Sequence, residues 1–135
     1  MKYLLFITIL LFSLTTTYSQ IYKFRAFETK AAFYNEKGKD ISSNEWQKTN
    51  ILIVVDSDKE KISIYAKKEV YIDILTVSVT HDADGDYVTY KGVDDGGVKM
   101  NAVYYMFKDK STMHIGNLVL DYGSYVLAYR LKNTD

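Results

Sequence analysis

The side chains with the most obvious chemical potential in this chain are carboxylates gathered in short polar stretches. Asp82-Ala83-Asp84-Gly85-Asp86 places three acids within five residues, and Asp56-Ser57-Asp58-Lys59-Glu60 does the same. A calcium ion takes about six to eight oxygen ligands, and carboxylate-rich turns can supply several of them. Asp82, Asp84 and Asp86 are therefore the candidate Ca2+ ligands. Neither stretch matches the EF-hand loop, however. The first has its glycine at the fourth position and Val93 at the twelfth; the second has Lys61 at the sixth and Lys67 at the twelfth. Asp and Gly are also the residues that tight hairpin turns prefer, so turn formation is the stronger expectation.

Other chemistry is thinly supplied. The chain has no cysteine, which removes thiolate nucleophiles, disulfides and zinc–thiolate sites. His81 and His114 are the two histidines, too few for a zinc site without carboxylates. Glycoside hydrolysis needs two converging acids, one with its pKa raised by an apolar pocket. Asp73, set among Tyr71, Ile72, Ile74 and Leu75, is the acid to watch, and an outward position on a half-solvated strand is the simpler account of it. No Gly-x-Ser-x-Gly elbow and no phosphate-binding loop is present. The residues thus predict a protein that is not an enzyme.

Binding is better provided for than catalysis. Tyrosine offers flat apolar area plus a hydroxyl, which suits sugars, peptides and protein surfaces. Tyr105 and Phe107 alternate with Tyr104 and Met106, so they share the face opposite the apolar one. With Tyr87 and Trp46 they are the candidate ligand-binding residues. Tyr104, Tyr125 and Tyr129 keep step with aliphatic neighbours and are expected in the core.

The elements that must position these residues are strands. Lys61–Tyr65, Val98–Met106 and Tyr125–Leu131 alternate between apolar and polar residues, while Ile51–Val55 is a continuous apolar run expected to be covered on both sides. Phe27–Lys37 carries helix formers and is read as a separate, second strand. Polar breaks fall at 35–40, 56–60, 81–86, 94–97, 108–111 and 123–124, at spacings that suit hairpins. The apolar set changes face at Leu75 and again at Gly116-Asn117, as a bulge or sharp bend would require. The fold expected is all-β: an antiparallel meander of about eight strands, closed as a small calycin-like barrel or folded as a sandwich.

A leader precedes this domain. Lys2, the apolar run Leu4–Leu14 and the small residues Thr17 and Ser19 predict a signal peptide over 1–19, leaving a single domain over 20–135. The apolar run is little more than half the about 20 residues that span a bilayer, so no membrane span is expected in the mature chain. Without Lys2, 16 basic residues face 17 acids, a formal charge of −1, and only Arg25 and Arg130 are arginines. That balance gives no field for a phosphate backbone, and nucleic acid is not an expected partner.

The junction Ser19-Gln20, the lone Trp46, the runs Asn50–Asp56 and Lys61–Tyr65, and the acidic turn Asp82–Asp86 together resemble small exported proteins of the Bacteroidetes. That resemblance implies an envelope location, periplasmic or at the cell surface, and carries no assigned activity or site residue. Two functional expectations stand together. One is a non-catalytic module that binds an apolar or sugar-like ligand inside or at the mouth of the barrel. The alternative is a structural or protein-interaction factor that docks through a sheet edge or an aromatic patch.

Overall fold

The computed structural model describes residues 20–35, 37, 40–43, 45–109 and 111–134; the leader expected over 1–19 lies outside them. Nine strands follow one another: β1 (Ile21–Tyr34), β2 (Asp40–Ser43), β3 (Gln47–Asp56), β4 (Lys61–Tyr65), β5 (Val70–His81), β6 (Gly85–Asp94), β7 (Lys99–Phe107), β8 (Gly116–Asp121) and β9 (Tyr125–Asn133). Every pairing is antiparallel, and β3 to β9 run in sequence order. Closure comes from β1, whose first half pairs with β3 and whose Phe24–Phe33 stretch pairs with β9. Eight strands make the barrel. The short β2 adds only a three-residue ladder to the far end of β1. The architecture is a closed antiparallel meander barrel, which settles barrel against sandwich.

Closure depends on the length of β1, and that length depends on a bulge. The register of β1 slips between Ala26 and Glu28 against both neighbours: Phe27 is the extra residue against β9, whereas against β3 the extra residue lies on β3, at Thr49-Asn50. Such a bulge bends a strand and lets it serve two partners at a barrel corner. Phe27–Lys37 is accordingly not a separate second strand. Its strand residues are the second half of β1, with no helix despite the helix formers, because pairing with β9 decides the matter.

The interior face is apolar and its register is regular. Val55 lies opposite Ile62, and Ile62 opposite Ile72; all three are buried, with Ile62 and Ile72 at 0% exposure. Across the barrel, Ala102 lies opposite Leu120 and Tyr104 opposite Leu118. Tyr129 and Leu131 complete the packed layer from β9. Tyr122 stacks on Tyr125 at 4.6 Å over the end that carries the β8–β9 turn. Tyr125 is half-buried there instead of in the core, because β9 has reached the barrel rim at that residue. Ile51–Val55 is covered on one side only: Ile53 and Val55 are buried, while Leu52 and Val54 lie half-exposed on the outer face of a single-layered barrel.

Two sequence irregularities have different outcomes. At Leu75 the register slips between Ile74 and Thr76, so the inward set passes from Ile72 and Ile74 to Val77 and Val79 without leaving the barrel interior. Gly92 sits opposite this kink, and a Cβ there would lie 2.7 Å from both Ile72 Cγ2 and the Asp73 carbonyl oxygen. At Gly116 there is no bend within a strand; β8 begins there, after a loop from Lys108 in which Ile115 is buried and Met113 is exposed. One turn, Ala66–Glu69, carries no proline or glycine and is not foreseen from the sequence.

Packing is uneven along the barrel axis, and stability should follow it. Leu120→Ala, at a 0% exposed position, is expected to cost about 2–5 kcal/mol in urea unfolding. Val77→Ala, inward but 55% exposed, is expected to cost under about 1 kcal/mol. Equal losses would show that the barrel is filled throughout.

Candidate ligand-binding cavity

Strand lengths shape the site. β4 has 5 residues and β5 has 12. Their ladder ends at Lys61 opposite Asp73, with one further bond from Ile74 N–H to the Glu60 carbonyl at 2.8 Å. Above that point β5, β6 and β7 rise as a three-stranded wall, while β3 and β4 have already turned back at Ser57–Glu60. The barrel is therefore filled at one end and open at the other.

The open end holds a cavity of about 690 Å³, within the range of about 300–1,000 Å³ typical of small-molecule sites. Phe24 and Tyr104, with ring centroids 5.0 Å apart, belong to its lining. Val77 and Val79 from β5, Val88 and Tyr90 from β6, and Met106 from β7 make the high wall; Tyr22 and Val55 make the low one. Gln20, Ser57, Glu60, Asp86 and Asn133 supply polar groups to the lining. Among the lining residues the only charged side chains are Glu60 and Asp86, both acidic.

Burial pushes the hydroxyls of Tyr104 and Tyr90 above the ordinary tyrosine value, with further upward pressure on Tyr104 from Tyr90 and Tyr22. Among the described residues no fully buried side-chain oxygen or nitrogen lacks a hydrogen-bond partner. Tyr22 donates from its hydroxyl to Gln20 Oε1 at 3.2 Å. The arrangement is an apolar trough with phenolic hydroxyls and two carboxylates in its lining. It can shelter hydrocarbon and hydrogen-bond a polar group.

The residues singled out from the sequence lie elsewhere, on the outside. Tyr87 and Tyr105 pack at 4.2 Å, and Tyr105 meets Phe107 edge-on at 5.3 Å. The row continues through His114, 4.9 Å from Phe107 and 5.7 Å from Phe27. His114 Nε2 lies 2.7 Å from Asn117 Oδ1, so this histidine is half-buried and held, whereas His81 is exposed. Trp46 belongs to a second exterior cluster: it packs over the Arg130 guanidinium at 4.1 Å, and Arg130 pairs with Glu28 at 3.5 Å. Three of the four expected residues are thus brought together as an exterior aromatic row, and none of the four lines the cavity.

The acidic stretches act as turns. Asp82 Oδ1 accepts from the N–H groups of Asp84 and Gly85, each at 2.8 Å, and Asp86 Oδ1 lies 2.6 Å from His81 Nδ1. Asp56, Asp94 and Asp121 close their own turns in the same way. Among the described residues no group of three or more His, Cys, Asp or Glu side chains converges as a metal site. The candidate Ca2+ ligands Asp82, Asp84 and Asp86 are not brought together as such a group. Asp73 points outward, 3.9 Å from Lys61, as its mid-strand position suggests.

Comparison with known proteins gives no match: no family model fits the chain, and no curated protein or solved structure is significantly similar to it.

The turn role of Asp82 is measurable. Asp82→Ala should lower stability by at most about 1.5–3 kcal/mol, the value of hydrogen bonds to a charged acceptor. The loss should be the same in calcium and in chelator. A melting midpoint that calcium raises in the parent protein but not in Asp82→Ala would show that the turn is a cation site instead.

Proposed function

We propose that this protein is a non-catalytic binding module that takes up a small, mainly apolar ligand in the open end of its barrel. One observation carries the reading. Val77 and Val79 face the barrel interior, yet each is 55% exposed, because β3 and β4, which would continue the wall beside β5, turn back below them at Ser57–Glu60. An inward apolar wall left open to solvent has the composition and shape of a ligand pocket. On the strength of the leader we place its action in the cell envelope or outside the cell.

The lining narrows the ligand. Carboxylates at Glu60 and Asp86, with no lysine or arginine among the described lining residues, disfavour an anionic head group. Tyr90 and Tyr104 offer hydroxyls to a neutral or cationic one. The ligand is thus a hydrocarbon-rich molecule ending in a hydroxyl, amide or amine, in preference to a fatty acid or bile salt. Each methylene moved from water into such a site contributes about 0.8 kcal/mol, so two more carbons should tighten binding about 15-fold until the cavity is full.

A second reading, docking on another protein, is favoured by the unpaired edge of β5 above Asp73. It does not explain the inward exposure of the two valines.

Calorimetric titration with medium-chain alcohols, alkylamines and carboxylates below their micelle concentrations tests the proposal. Alcohols and amines should bind with chain-length dependence, and carboxylates of equal length several-fold more weakly. Glu60→Lys should reverse that order at the rim. No binding by any series, or binding indifferent to chain length, would overturn the reading.

A further inference from the structure

We propose that two copies of this chain pair edge to edge through β5, in antiparallel register about a two-fold axis at Ser78. The proposal starts from the same unpaired edge but concerns a different property, and it stands whether or not the cavity holds a ligand. One side of β5 is bonded to β6 as far as His81 opposite Asp86. On its other side the ladder to β4 stops at Asp73, with the last bond at Ile74 N–H. Residues 75–81 are exposed throughout, with Leu75 at 64%. Their backbone groups on that side have no strand beside them among the described residues.

Exposed edges in natural sheets are normally guarded by lysine, proline, a bulge or an inward charge. Leu75–Thr80 contains no proline and no charged residue, and the bulge lies at its base, between Ile74 and Thr76. The stretch Thr76-Val77-Ser78-Val79-Thr80 reads the same in both directions. Two-fold symmetric contacts require a self-complementary surface, and an antiparallel strand pair requires a sequence that matches itself reversed. Centred on Ser78, the register sets Thr76 against Thr80, Val77 against Val79, and Ser78 against its own copy. No like charges oppose one another. The valines of both copies fall on the interior side, where each cross-strand pair adds about 0.2–1 kcal/mol, and the two open mouths come to share one apolar wall.

Size sets the strength. An edge pairing of seven residues buries well under the roughly 800 Å² per partner of a standard interface. The dimer is therefore weak and concentration-dependent, not obligate.

Sedimentation velocity over a wide concentration range, together with two variants at Ser78, tests the pairing. Ser78 points outward, away from the cavity, and directly opposed residues in an antiparallel pair lie about 4.5–5.5 Å apart at Cα, within disulfide reach. Since the chain has no cysteine, Ser78→Cys introduces a lone thiol. It should form a disulfide dimer under mild oxidation much faster than Thr112→Cys, an exposed loop control. Ser78→Lys places like charges face to face and should raise the dimer dissociation constant about tenfold while leaving the melting midpoint unchanged. The inference is overturned by a monomer at every concentration, whether the edge stays bare or takes up a different polypeptide. It is equally overturned by a dimer that Ser78→Lys leaves intact, or by a Ser78→Cys protein that cross-links no faster than the control.

Discussion

A five-residue strand beside a twelve-residue one governs this molecule. Strands in a closed barrel cover one another's inward side chains only over the height at which both walls stand. β4 ends where its turn at Ser57–Glu60 begins, while β5 continues to His81 with β6 and β7 alongside. Below the level of Asp73 the interior is closed by isoleucine and leucine layers that meet across the barrel. Above it, inward valines have no facing layer. The packed half supplies the apolar burial on which a cysteine-free domain relies, and the open half is free to do something else.

The same mismatch produces both features on which function is argued. It leaves a cavity of about 690 Å³ between the high and low walls, and it leaves the β5 edge without a neighbour. Tyrosine suits the first feature. Tyr90 and Tyr104 pack their rings against the core, and burial pushes their hydroxyls further above the ordinary tyrosine value, so they line the trough as uncharged groups. The acidic residues serve a different purpose: Asp56, Asp82, Asp94 and Asp121 each close a hairpin turn by accepting backbone N–H groups. Acidity at this protein's turns thus serves its meander topology.

Strand content, the antiparallel meander and the bulge at Leu75 were legible because they rest on local signals. Side-chain alternation, turn residues and a parity change are all written in neighbouring positions. The shared outer face of Tyr105 and Phe107 was legible for the same reason, since alternation assigns a face, whereas Tyr87 joins them only through the β6–β7 register. What stayed hidden depends on partners distant in sequence. Phe27–Lys37 could not be joined to the strand before it without knowing that β9 pairs along both. The turn at Ala66–Glu69 has neither proline nor glycine to mark it. The cavity was least legible, because Val77 and Val79 look like ordinary buried strand residues. A usable signal did exist: the alternating run in β5 continues well past the length of its neighbour Lys61–Tyr65, so part of its inward face had to lack a cover.

A ligand bound as proposed sits on the inward wall above the core, and not on the exterior aromatic row. Methyl and aromatic NMR shift mapping during titration with a neutral medium-chain alcohol tests this most directly. The predicted result is saturable shifts at Val77, Val79, Val88 and Met106, with Tyr87, Tyr105 and Phe107 unmoved. Shifts confined to those three aromatic residues, or none in the barrel interior, would show that the cavity is not the binding site.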